Sequence, residues 1–187
     1  VIDGEADLSW EYDARGVDGA AFSKDRRYRY RLWRSLRFND RRVLFCGLNP
    51  SKAGATQNDM TITKCVGFAN RGFTCFRPFG LVDVVNLNAI IETDSEVMRA
   101  MPALDAMGPR NEEAILDALR LAKDAHGSLV IAAWGSGVSP TQVMEFQNLL
   151  RIACVERVYC LGRTKDGSPR HPSRIAYTTP LETWWEA

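Results

Sequence analysis

Val43-Leu44-Phe45-Cys46-Gly47-Leu48-Asn49-Pro50-Ser51 is the stretch that decides the fold. Its first four residues are apolar without alternation, the pattern of a strand covered on both faces, and such strands belong to parallel sheets with helices on either side. The run stops at Gly47, and Pro50 denies Asn49 a helical backbone. Downstream, Ile62, Cys65, Val66 and Ala69 recur at helical spacing, with Asp59 placed to cap the start and Gly72 to end it.

The same alternation continues along the chain. Val82 to Leu87 reads as a second buried strand, and Thr93 and Glu96 stand at capping-box spacing before a short helix. Ile115, Ala118, Leu119 and Ala122 mark the apolar face of the next helix, and Leu129 to Trp134 is a third strand. Ser139-Pro140 opens a helix bearing Val143, Phe146 and Leu150, before a fourth strand at Val158 to Leu161. Strands alternating with helices predict an α/β fold: a three-layer sandwich around a mainly parallel, four-stranded central sheet, with an N-terminal strand or hairpin added.

That N-terminal addition begins at Tyr28-Arg29-Tyr30-Arg31-Leu32, whose alternation predicts one buried face and one wet, cationic face. Charge is unevenly distributed around it. Residues 1–23 carry six acids against Arg15, a net of −5, whereas residues 24–42 carry Lys24 and eight arginines against two aspartates, a net of +7. We therefore expect an acidic, partly irregular segment over 1–23 and a single α/β domain over 24–187. The acidic segment could mask the arginine patch, and the patch itself either guards an edge strand by charge or meets phosphates through Arg29, Arg31 and Arg34. A weaker positive stretch holds Lys165, Arg170 and Arg174.

The 187 residues, 45% hydrophobic and 25% charged, are the composition of an ordinary globular protein. Apolar stretches break well before the roughly 18 residues a membrane helix needs, and the acidic start lacks a signal-peptide layout, so a cytoplasmic protein without a membrane partner is expected. Five cysteines (46, 65, 75, 154, 160) form no C-x-x-C pair and sit largely in apolar runs, as reduced core residues do. No His/Cys set has metal-ligand spacing, and neither common glycine-rich nucleotide fingerprint is present, so neither metal nor cofactor is expected.

In open α/β sheets ligands bind beyond the carboxyl ends of the strands. The rule singles out Gly47 to Ser51, Asn86 to Asn88, Trp134 to Gly137, and the loop from Gly162 to Ser173. Asn49 either ties a tight turn to its own backbone or holds a water or a ligand carbonyl. Asn86, ending an apolar strand, either bonds a neighbouring loop or reads a ligand edge with its donor and acceptor; Asn88 is a weaker candidate. His171 is either an exposed loop residue or a donor to developing negative charge. A nucleophilic pair of Cys46 or Cys65 with His171 is a further, lower option.

Taken in order, GLNPS (47–51), VVNLN (84–88), IAAWG (131–135) and RHPS (170–173) resemble the motifs of the uracil-DNA glycosylase superfamily. A closer resemblance, covering nearly the whole folded region, is to an uncharacterised family of bacterial and phage proteins, a domain of unknown function. Its pattern is matched here at Tyr28 to Arg34, Gly47 to Asp59, Val84 to Leu87, Ala132 to Gly135 and Cys160 to Pro172.

The superfamily resemblance implies metal-independent hydrolysis of an N-glycosidic bond in nucleic acid or a nucleotide. Asn49 would position water, Asn86 would read the base, and His171 would stabilise the departing base anion. It also implies a base pocket drawn from Gly47, Leu48, Pro50, Ser51, Asn88, Trp134 and Ser173, with Phe68, Phe73 or Phe76 as an aromatic floor. Asn49 replaces the aspartate of the most active branch, and an amide cannot remove a proton. The alternative is a non-catalytic module that binds a nucleotide or modified base in the same pocket.

Overall fold

The computed structural model describes residues 8–36, 39–73, 76–92, 94, 97 and 100–187. The strands are β1 (Leu8–Tyr12), β2 (Gly19–Ser23), β3 (Arg29–Ser35), β4 (Arg42–Gly47), β5 (Leu81–Asn86), β6 (Leu129–Ala132), β7 (Arg157–Cys160) and β8 (Glu182–Glu186). The helices are α1 (Met60–Arg71), α2 (Ala103–Met107), α3 (Asn111–Asp124) and α4 (Pro140–Ile152), and a 3-10 turn covers Pro172–Arg174. The expected capping box of Thr93 and Glu96 lies outside the described residues.

The strands form one eight-stranded sheet in the order β1-β2-β3-β5-β4-β6-β7-β8. Pairs β5-β4, β4-β6 and β6-β7 are parallel, whereas β1-β2, β2-β3, β3-β5 and β7-β8 are antiparallel. The expected four-stranded, mainly parallel sandwich of glycosylase type is therefore corrected to a mixed sheet, about half antiparallel. Residues 8–23, expected to be an acidic and partly irregular segment, supply β1 and β2 of that same sheet. Their acids obscured the alternation of Leu8, Trp10 and Tyr12, and the C-terminal strand β8 carries no long apolar run to reveal it.

Alternation along β4 divides the core. Val43 and Phe45 pack with Val82, Val84 and Ile131 beneath α1, through Ile62, Cys65, Phe68 and Ala69. Leu44 and Cys46 face the other way with Val85 and Val130, beneath α3 and α4. Both faces of β4 are thus dry, as its unbroken apolar run requires. Helix α1 starts where sequence places it: the Asp59 carboxylate accepts from the Ile62 N–H at 2.8 Å. In α4, Ser139 and Gln142 close a reciprocal capping box.

β3 departs from the simple alternation read in its sequence. Phe22 and Ala21 of β2 pair with Arg29 and Arg31, leaving Tyr30 as an extra residue, a β-bulge. Leu32 and Val84 share a register position and the α1 side of the sheet, while Arg31 lies on the opposite side against Asp83. The bulge turns Arg29 away from Arg31 and onto the α1 side. In place of a wet cationic face, Arg29 is 2% and Arg34 is 4% exposed.

Candidate functional site

β4 lies inside the run of four parallel strands, and the chain leaves it for β5 on one side and reaches β6 on the other, so the carboxyl end of β4 is a topological switch point. A cleft of about 240 Å³ opens there on the α1 side. Ligand sites commonly measure about 300–1,000 Å³, so this cleft suits a small molecule or one end of a larger one.

Four distant stretches meet in it: Gly47, Leu48, Asn49 and Ser51 at the end of β4, Asn86 at the end of β5, Trp134 beyond β6 and His171 beyond β7. Arg29 of β3 and Asp59 and Cys65 at the start of α1 complete the lining. Gly47 is required by this convergence, because a Cβ there would stand 2.6 Å from Asn86 Oδ1. Gly135, at φ 79°, packs against His171 and donates its N–H to Pro169 O at 2.8 Å, which fixes the histidine loop.

The other residues expected in the pocket lie around it. Asn88, 6% exposed, sits behind Asn49 and donates from Nδ2 to its Oδ1 at 2.7 Å, while accepting from Gln142 Nε2 at 3.0 Å. Pro50 is buried outside the lining, and Ser173 Oγ lies 2.9 Å from His171 Nδ1. Phe68 is fully buried in the core, stacked on Phe73, so no aromatic floor is built from it.

The arginines divide differently from the expectation. Arg31 pairs with the fully buried Asp83, which Arg42 also contacts. Arg34 donates to the carbonyls of Gly54 and Gln57 and to Asn58 Oδ1, and so pins the loop between β4 and α1. Only Arg29 of the three enters the cleft. Lys165, Arg170 and Arg174 are exposed on the loop that carries His171.

Buried polar atoms without a partner concentrate here. Among the described residues five side-chain atoms are in that state, and Arg29 Nε, Asp59 Oδ2 and Asn86 Nδ2 all belong to residues lining this one cleft. Each such group costs about 1–3 kcal/mol if left unmade, so the cavity presents two donors and one acceptor to whatever fills it, water or ligand. A larger groove of about 370 Å³ at the amino ends of β6 and β7, beside His126 and Arg157, has no such atoms in its lining. Burial brings Arg29 down to about 10, opposed by Asp59, and it remains cationic at neutral pH. Burial also lowers the pKa of His171, again opposed by Asp59, which favours the neutral imidazole.

The chemistry expected from the glycosylase resemblance is corrected by this arrangement. Asn49, expected to position water, already accepts at Oδ1 from Asn88 Nδ2, and His171 Nδ1 lies against Ser173 Oγ. The single carboxylate in the lining, Asp59, uses one oxygen to cap α1. Among the described residues no group of three or more His, Cys, Asp or Glu could hold a metal ion. No glycosidase centre is assembled among the described residues, and the expected hydrolysis of an N-glycosidic bond falls with it. A thiol nucleophile is disfavoured too, because burial pushes both Cys46 and Cys65 well above the ordinary thiol range.

What fold and site define is an α/β domain with a small cleft, holding buried polar groups, at the carboxyl ends of its parallel strands. Over residues 29–173 the chain matches the family described as protein of unknown function (DUF1643), and it belongs to that family. The matched span runs from the arginine that enters the cleft to the serine beside His171. Comparison with curated proteins gave no match. Among the described residues, no helix is long and apolar enough to cross a membrane.

Proposed function

We propose that the cleft is a binding site for a free nucleotide, engaged at one end by Asn86, Arg29 and Asp59. The observation that carries this reading is the clustering of three orphaned polar atoms, two donors and one acceptor, around a space of about 240 Å³. A ligand that satisfies them offers acceptors to Asn86 Nδ2 and Arg29 Nε and a donor to Asp59 Oδ2, a mixture that the polar groups of nucleotides provide. A free nucleotide is favoured over a nucleic-acid strand because Arg31 and Arg34, the residues expected to track a phosphate backbone, are engaged within the fold.

The test is calorimetric titration of the full chain with the common ribonucleotides and with short single-stranded oligonucleotides. Binding of a free nucleotide that is lost in Asn86→Ala supports the reading. Absence of any nucleotide binding, or binding indifferent to Asn86→Ala, overturns it.

A further inference from the structure

We propose that the Arg29 and Asp59 wall of the cleft accepts an uncharged ligand group, with a hydrogen-bond donor beside an acceptor, and turns anionic groups outward. The proposal deepens the nucleotide reading and rests on it only for the identity of the ligand.

Arg29 is 2% exposed; its Nη1 donates to Ala53 O at 2.7 Å, and its Nε has no partner. Asp59 accepts from Ile62 N with Oδ1, and its buried Oδ2 has no partner either. The wall thus carries one fixed positive and one fixed negative charge, each with an atom left over. Coulomb interactions in a poorly hydrated cleft are several times stronger than in water. Both side chains line the same cleft, and Asp59 acts electrostatically on Arg29. A phosphate placed against Arg29 would therefore lie in the field of the Asp59 carboxylate, whereas a neutral ligand portion that accepts from Nε and donates to Oδ2 satisfies both. Hydroxyl, carboxamide and lactam groups have that character. Cationic side chains outside the wall, among them Lys52 after Ser51 and Lys165, Arg170 and Arg174 on the His171 loop, are exposed, so a phosphate attached to the same ligand is attracted outward.

Asp59→Asn separates charge from shape. Asparagine caps helices as well as aspartate does, so α1 is retained, while the leftover acceptor becomes a donor and the wall becomes net positive. Asp59→Ser, also competent as a cap, serves as a second variant, and the melting temperature of each verifies the fold. Two readouts are used on the full chain. In the first, the Arg29 Nε–H resonance is followed by NMR during titration with inorganic phosphate. We expect no movement in the wild type and a saturable shift in Asp59→Asn. In the second, ribonucleosides and their 5′-monophosphates are titrated, with a loss of about 10- to 100-fold in affinity for both classes in Asp59→Asn.

Phosphate shifting the Arg29 resonance of the wild type overturns the proposal. So do unchanged readouts in both variants. If no nucleoside or nucleotide binds the wild type, the nucleotide reading fails, while the phosphate titration still decides the charge preference of the wall.

Discussion

The Asn88 side chain holds that of Asn49: Nδ2 of the first donates to Oδ1 of the second at 2.7 Å, from a position only 6% exposed. With Gln142 donating to Asn88 Oδ1, the amides form a relay running from α4 to the lip of the cleft. Replacing Asn88 by the near-isosteric leucine leaves two polar partners unmatched. Asn88→Leu is expected to lose about 1–3 kcal/mol of stability in urea unfolding. Asn88→Asp, which still accepts from Gln142 but no longer donates to Asn49, is expected to weaken ligand binding.

Gly47→Ala places a methyl group 2.6 Å from Asn86 Oδ1, well inside contact distance. The amide must turn, and overpacking of this kind costs about 1–3 kcal/mol. Gly54→Ala is the matched control, because nothing lies within 4 Å of its added Cβ. Calorimetry of the pair is expected to show lost ligand binding in the first and retained binding in the second.

Asp83 is fully buried between Arg31 and Arg42, whose side chains are 16% and 15% exposed. Asp83→Leu strands two guanidinium groups at the sheet surface and is expected to cost about 3 kcal/mol. Adding Arg31→Leu to Asp83→Leu is expected to recover part of that loss, which a double-mutant cycle in denaturant measures directly.

Burial depresses the pKa of His171 below its ordinary value of 6.5. The unfolded chain then takes up the proton before the folded one does as pH falls. The stability this histidine contributes is present above about pH 6.5 and is lost as pH drops through its lower, folded value. Urea midpoints measured from pH 7.5 to pH 5 are expected to decline more steeply for the wild type than for His171→Gln.

The inner strands were legible because β4 and β5 are near-continuous apolar runs, and burial on both faces leaves no other choice of residue. β1, β2 and β8 were not, since antiparallel strands at the flanks tolerate Glu11, Glu182 and Glu186 without a clear period. At the site, the strand-end rule reached Gly47 to Ser51, Asn86, Trp134 and His171. It did not reach Arg29, whose direction depends on the bulge at Tyr30, a one-residue slip that no local pattern announces. Asp59 was legible only as a helix cap, because nothing in its spacing tells that one oxygen caps while the other looks into the cleft.

The residues around the cleft are drawn from Arg29 at one extreme to Pro172 at the other. A nascent chain leaving the ribosome therefore holds most of its core strands before it possesses a complete binding surface. The recognition surface is complete only once the chain has been made as far as Pro172, and a product of interrupted translation ending short of His171 lacks the imidazole side of the cleft.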